Sequence, residues 1–168
     1  MHRFALALLA FAFLVVPASA QAPWREFRSQ SDDFAVTLPQ EPKITSRQIK
    51  DSKATRSMYR VDSGEFTYLV SVITLEKGTG LKNPDRSDYQ DMLTSYAEGS
   101  ETRLRYSRPA TIDGKAGFEG QTEGSNSTHQ VQLLLQGDRA YMVVYVAPKG
   151  QENSADAARL RASFRLTR

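Results

Sequence analysis

From residue 34 onward the apolar positions fall into short alternating runs, interrupted twice by a helical period. Phe34, Val36 and Leu38 alternate with Ala35 and Thr37, which predicts a strand, and Pro39 and Pro42 close it. Residues 44–49 and 55–61 predict two more strands, polar enough to lie near a sheet edge. Phe66 to Leu75 is the clearest strand of the first half. Phe66, Tyr68, Val70 and Val72 share one face and Leu69 and Ile73 the other, so this strand needs cover on both sides. After a loop over residues 77–84, Tyr89, Met92, Leu93, Tyr96 and Ala97 recur along one helical face. Ser87 and Gln90 stand at capping-box spacing, and Gly99 suits the stop.

In the second half, Arg103 to Ser107 predicts a strand and Ile112-Asp113-Gly114-Lys115 a tight turn. Residues 120–128, polar and glycine-bearing, predict an exposed loop. Val131, Leu133 and Leu135 alternate with glutamines, and Gly137-Asp138 reads as a two-residue hairpin turn. Residues 140–147 are almost wholly apolar, which predicts a central strand. Asn153 or Ser154 caps a last helix that turns Ala157, Leu160 and Phe164 inward. Trp24 to Phe27 reads as a tethering segment. The fold class is α+β: an α/β/α sandwich with a central, mostly antiparallel sheet of about six to eight strands and two main helices.

The first twenty residues break this pattern. Met1-His2-Arg3 is a short positive start, residues 4–16 carry no charge, Pro17 breaks the run, and Ala18-Ser19-Ala20 offers small residues for cleavage. This predicts a cleaved signal peptide over 1–20 and one globular domain over 21–168, periplasmic or secreted by a bacterium. The run is shorter than the about 20 residues that span a bilayer, and no later run is longer. With no cysteine, lipid anchoring through that residue is excluded, as are a disulfide scaffold, an iron–sulfur cluster and a cysteine-ligated zinc. A net charge of +3 is too mild to be a nucleic-acid signature. The lack of long apolar runs after the signal points to a monomer.

Candidate chemistry is sparse. His129 is the one histidine after the signal, and it is expected to be an ordinary half-exposed strand residue, since no Gly-x-Ser-x-Gly elbow accompanies it. Asp85, Asp88 and Asp91 recur around the start of the first helix, where negative charge suits the helix dipole; a weak cation site there is the sharper alternative. Gly114, Gly117 and Gly120 lack the Rossmann and P-loop patterns and read as turns and bulges. Asp32-Asp33 marks a turn. No catalytic, cofactor-binding or metal-binding set is assigned, and no cofactor is expected.

One charge asymmetry stands out. Lys43, Arg47, Lys50, Lys53, Arg56 and Arg60 fall within eighteen residues that contain one acid, Asp51. Such a stretch either protects a sheet edge or steers an anionic partner. It is the candidate partner-binding surface.

The order of motifs resembles a known group. Trp24 is followed by Phe34-Ala35-Val36-Thr37-Leu38-Pro39, Tyr68-Leu69-Val70-Ser71-Val72 and a helix. Ile112-Asp113-Gly114 with Gly117, Gly137-Asp138-Arg139-Ala140-Tyr141 and Ser163-Phe164-Arg165-Leu166 complete the order. Together these resemble the PsbP-like group of small exported bacterial proteins, similar in fold to the PsbP subunit of photosystem II and to the Mog-type Ran-binding protein. The resemblance implies an α/β/α sandwich and a role in binding other proteins, with no active site to carry over. The leading expectation is therefore a non-enzymatic exported domain that binds a protein partner in the cell envelope. The alternatives are a periplasmic small-ligand or lipid-binding protein, and a hydrolase with an unconventional oxygen-based site.

Overall fold

The computed structural model describes residues 23–80 and 83–168. The export signal expected over residues 1–20 lies outside them. Seven strands form the main sheet: β3 (Lys43–Gln48), β4 (Thr55–Ser63), β5 (Phe66–Thr74), β6 (Arg103–Ile112), β7 (Lys115–Glu123), β8 (Ser127–Gln136) and β9 (Arg139–Pro148). Their spatial order is β3-β4-β5-β9-β8-β7-β6, with every neighbouring pair antiparallel. The apolar strand read at 140–147 is β9, and it occupies the centre.

Both faces of the sheet are covered. On one lies helix α1 (Arg86–Gly99), over β6, β7 and β8. Its Tyr89 and Leu93 pack on Phe118, Val131, Leu133 and Val144. On the other lie helix α2 (Ala155–Ser163) and a small sheet of β1 (Arg25–Ser29), β2 (Phe34–Leu38) and β10 (Arg165–Leu166). There Phe34, Val36, Leu38, Leu160 and Phe164 pack on Val70, Val72, Tyr141 and Val143. The alternation read in β5 is the alternation between these two cores. The layered α/β/α arrangement is as expected, with the small sheet sharing a layer with α2.

The turns follow their chemistry. Asp113 and Gly114 take φ +49° and +72° between the paired Ile112 and Lys115, as a type I′ hairpin requires. Gly137 takes φ +60° between the paired Gln136 and Arg139.

The tethering segment at Trp24–Phe27 is held by packing and by strand pairing: Trp24 and Phe27 pack against the core, and Arg25 to Ser29 pair along β2 as β1. Five local expectations are corrected. The exposed loop expected over 120–128 shrinks to residues 124–126, because Gln121, Thr122 and Glu123 continue the ladder against Gln130, His129 and Thr128. The glycine at 120 belongs to packing: a Cβ there would lie 3.1 Å from the Tyr106 carbonyl oxygen and 3.3 Å from Leu93 Cδ1. The cap of α1 is Asp85, not Ser87. Its carboxylate accepts from the Ser87 and Asp88 N–H groups at 2.7 and 3.2 Å, and Asp88 accepts from the Asp85 N–H at 2.8 Å. Gln130 and Gln132 are buried, because α2 and its leading loop cover that face of β8; Asn153 accepts from Gln130 Nε2 at 2.9 Å. His129, expected half-exposed, is 8% exposed.

Asp32 and Asp33 do lie in a turn, between β1 and β2, and both are buried. Asp32 accepts from the Tyr59 hydroxyl at 2.6 Å. Asp33 pairs with Arg139 of the β8–β9 hairpin and with Arg168 at 2.8 Å. This cluster ties the small sheet to the end of the main one.

Candidate functional site

The sheet is wider than α1. Helix α1 lies over β6 to β8, and Ala140, Met142 and Val144 of β9 are buried in the same cluster at its edge, so on its face the outer strands β5, β4 and β3 are not capped by a second helix among the described residues. A cavity of about 310 Å³ opens along this uncapped flank. Its floor is Met58 of β4, Leu69, Ser71 and Ile73 of β5, and Ala140 and Met142 of β9. Asp91, Met92, Ser95 and Tyr96 of α1 form the wall. Apart from Met1, the chain's methionines are Met58, Met92 and Met142, and all three line this groove.

Strand register decides where the basic stretch points. Directly opposed residues of an antiparallel pair share a face. Met58 opposes Ser71 and Arg56 opposes Ile73, so Arg56, Met58 and Arg60 all face the groove side. Lys43 opposes Arg60 and Arg47 opposes Arg56, which brings all four cations onto that same face. The other two residues do not join them. Lys50 and Lys53 lie in the β3–β4 connection, and Lys53 pairs with Glu76 at 2.6 Å.

Both opposed pairs are like-charged, an arrangement that destabilises a ladder. Lys43–Arg60 is partly relieved: Asp62 accepts from Arg60 Nε at 2.9 Å. That contact, with the Thr67 hydroxyl and the nearby Lys43 ammonium, holds the Asp62 carboxyl below its ordinary pKa. Arg47–Arg56 has no such relief. Neither residue forms an ion pair among the described residues. The Nε of Arg56 is closed off from solvent and has no hydrogen-bond acceptor among the described residues.

The aspartate trio is accounted for by the helix. The Ser87 hydroxyl first, then the backbone N–H groups of Asp88 and Ser87, hold the Asp85 carboxyl below its ordinary pKa. Asp88 completes the cap, and Asp91 points along the groove wall. No cluster of three or more metal-ligating side chains forms among the described residues.

His129 has two partners. Its Nδ1 lies 2.8 Å from the Tyr96 hydroxyl and its Nε2 3.2 Å from the Ser127 hydroxyl. A tyrosine, not a carboxylate, orients the ring. Burial pushes the imidazole below its ordinary pKa, so it is neutral at pH 7. The contact joins α1 to β8 behind the groove wall.

The architecture matches a solved structure. The solution structure of cyanobacterial PsbP (CyanoP) from Synechocystis aligns with 90% of this chain and 96% of its own, at a TM-score of 0.57 and 8% identity. The fold is PsbP-like. A crystal structure from Bacteroides thetaiotaomicron aligns with 85% of this chain and 48% of its own, at a TM-score of 0.40 and 14% identity. No protein-family model matches the chain, and neither does any curated protein sequence. Within the PsbP-like frame the groove is the open half of the sheet face that α1 leaves bare. No described helix is long and apolar enough to cross a membrane.

The groove's methionines were missed by the sequence reading. The sequence pattern places Met92 on one helical face and does not single out Met58 or Met142 in their strands. Their shared feature, that the chain has no others beyond Met1, was a signal available in the sequence.

Proposed function

We propose that the chain is a non-catalytic binding domain of the bacterial cell envelope, and that it holds a partner protein by the groove beside α1. One observation supports this most directly: an apolar, methionine-lined floor borders a cationic margin in which Arg47 and Arg56 face each other and neither is ion-paired among the described residues. Methionine adapts to varied apolar shapes and recurs at binding surfaces. A cationic margin steers an anionic partner and fixes its register.

The test is affinity capture from the host's envelope fraction with the tagged chain, at low and moderate salt. The reading expects a stoichiometric partner that is lost at moderate salt and lost with the Arg47→Glu, Arg56→Glu variant. A partner that binds the variant equally well places the interface elsewhere.

The cavity also supports a second reading, a small anionic ligand. Its volume of about 310 Å³ falls at the small end of the range for small-molecule sites. Native mass spectrometry of the protein from its own host checks this reading. A retained ligand favours it, and a bare mass speaks against it.

A further inference from the structure

We propose that the occupant of the groove is an amphipathic helix of the partner, acidic along one flank, lying beside α1 across β3 to β5. This rests on the partner-binding reading above and names the chemistry of the partner.

The dimensions come first. From β5 to β3 there are two strand spacings of about 4.8 Å, or about 10 Å of sheet. A helix with its side chains is about 10–12 Å across, so one helix fills this strip and two do not. The other wall is α1 itself, whose 14 residues run about 21 Å. A partner helix of about four turns matches that length. A sheet face is ordinarily closed by such a layer, and here α1 supplies only half of it.

The chemistry of the strip is graded. Met92, Met58, Leu69 and Ile73 give an apolar lane next to α1. Beyond it, toward the sheet edge, stand Arg56, Arg47, Arg60 and Lys43. An apolar stripe with carboxylates along one side meets both lanes at once. The acidic flank also answers two local defects. A carboxylate between Arg47 and Arg56 separates two opposed like charges, and it gives the solvent-shielded Nε of Arg56 its missing acceptor. An extended segment pairing with the free edge of β3 would add a strand beyond the sheet and leave the methionine lane uncovered.

The test uses the chain with methyl-labelled methionine, because Met58, Met92 and Met142 give three resolved probes inside the groove. The first probe is a designed amphipathic peptide of about 18 residues, long enough to be helical alone, with a leucine stripe and a glutamate flank. The second is the same peptide with lysine in place of glutamate. The third is dodecanoate. The proposal expects saturable shifts of the Met58 and Met92 methyls with the glutamate peptide. It also expects affinity to drop about tenfold on raising salt from about 50 to about 300 mM, and binding by the lysine peptide at least about tenfold weaker. Arg47→Glu, Arg56→Glu should lose the glutamate peptide while its remaining methyl spectrum stays that of the folded protein.

No saturable shift at about millimolar peptide, or equal binding of the two peptides, overturns the proposal. Dodecanoate binding that displaces the glutamate peptide assigns the groove to a small amphiphile and also overturns it. If envelope capture yields a salt-sensitive partner while the glutamate peptide does not bind, the helical occupant fails and the partner-binding reading stands. If neither binds, both fail.

Discussion

Arg47 and Arg56 lie directly opposite each other in the β3–β4 ladder, and neither is paired with a carboxylate among the described residues. Reversing one charge should therefore stabilise the free protein. Arg47→Glu removes a like-charge pair and creates an opposite-charge one. Directly opposed charges are worth about 0.2–1 kcal/mol in either direction, so the swap should gain on the order of 1 kcal/mol. For a chain of 168 residues that corresponds to about 2–4 °C in melting temperature. The gain must depend on Arg56. In an Arg56→Gln background the same substitution should give less than half of it, which a double-mutant cycle reads directly. It must also shrink with salt, because Arg47 is exposed and its interactions are screened. Thermal melts followed by circular dichroism, at low and high salt, measure all of this. A neutral or destabilising Arg47→Glu, or an equal gain without Arg56, refutes the idea that this margin is held in repulsion. A variant that is more stable yet fails to capture the partner is the signature of a site kept for binding at a cost in stability.

Three further outcomes are expected. Leu93→Ala removes a fully buried side chain from the seam between α1 and the sheet and should cost about 2–5 kcal/mol in urea unfolding. Asp33→Asn breaks the buried pair with Arg139 and should cost about 2 kcal/mol; Arg168→Ala, whose side chain is 79% exposed, should cost little. His129 binds protons less readily in the folded state than in the unfolded one, so its contribution is present above the ordinary value of 6.5 and is lost as pH falls through it. Melting temperature should therefore drop between about pH 7 and pH 5 by more in the wild type than in His129→Gln.

The two faces of β5 were legible because Tyr68, Val70 and Val72 alternate strictly with Leu69 and Ile73, and a strand has only two sides. The hairpins were legible because Asp113-Gly114 and Gly137-Asp138 carry the turn chemistry in the residues themselves. What escaped depended on other chains of contact. Thr122 and Gln130 look like loop and surface residues until α1, β6 and α2 cover their strands. The cap fell on Asp85 because aspartate accepts two backbone N–H groups there, a geometry that the serine two residues later cannot match from inside the helix. The basic stretch was visible as composition, yet its meaning lies in register. Lys43, Arg47, Arg56 and Arg60 share a face only because β3 and β4 pair as they do, whereas Lys50 and Lys53 turn away with the connection. The groove itself is a property of sheet width against helix width, which no local pattern encodes.

The central claim is that the methionine-lined groove is the binding surface. Methionine oxidation tests it directly, because Met58 and Met92 are partly exposed and line the groove. The measurement is the rate of sulfoxide formation at each, by mass spectrometry, in the free protein and in the complex captured from the envelope fraction. The account predicts that both are oxidised several-fold more slowly in the complex. Equal rates in free protein and complex would contradict it.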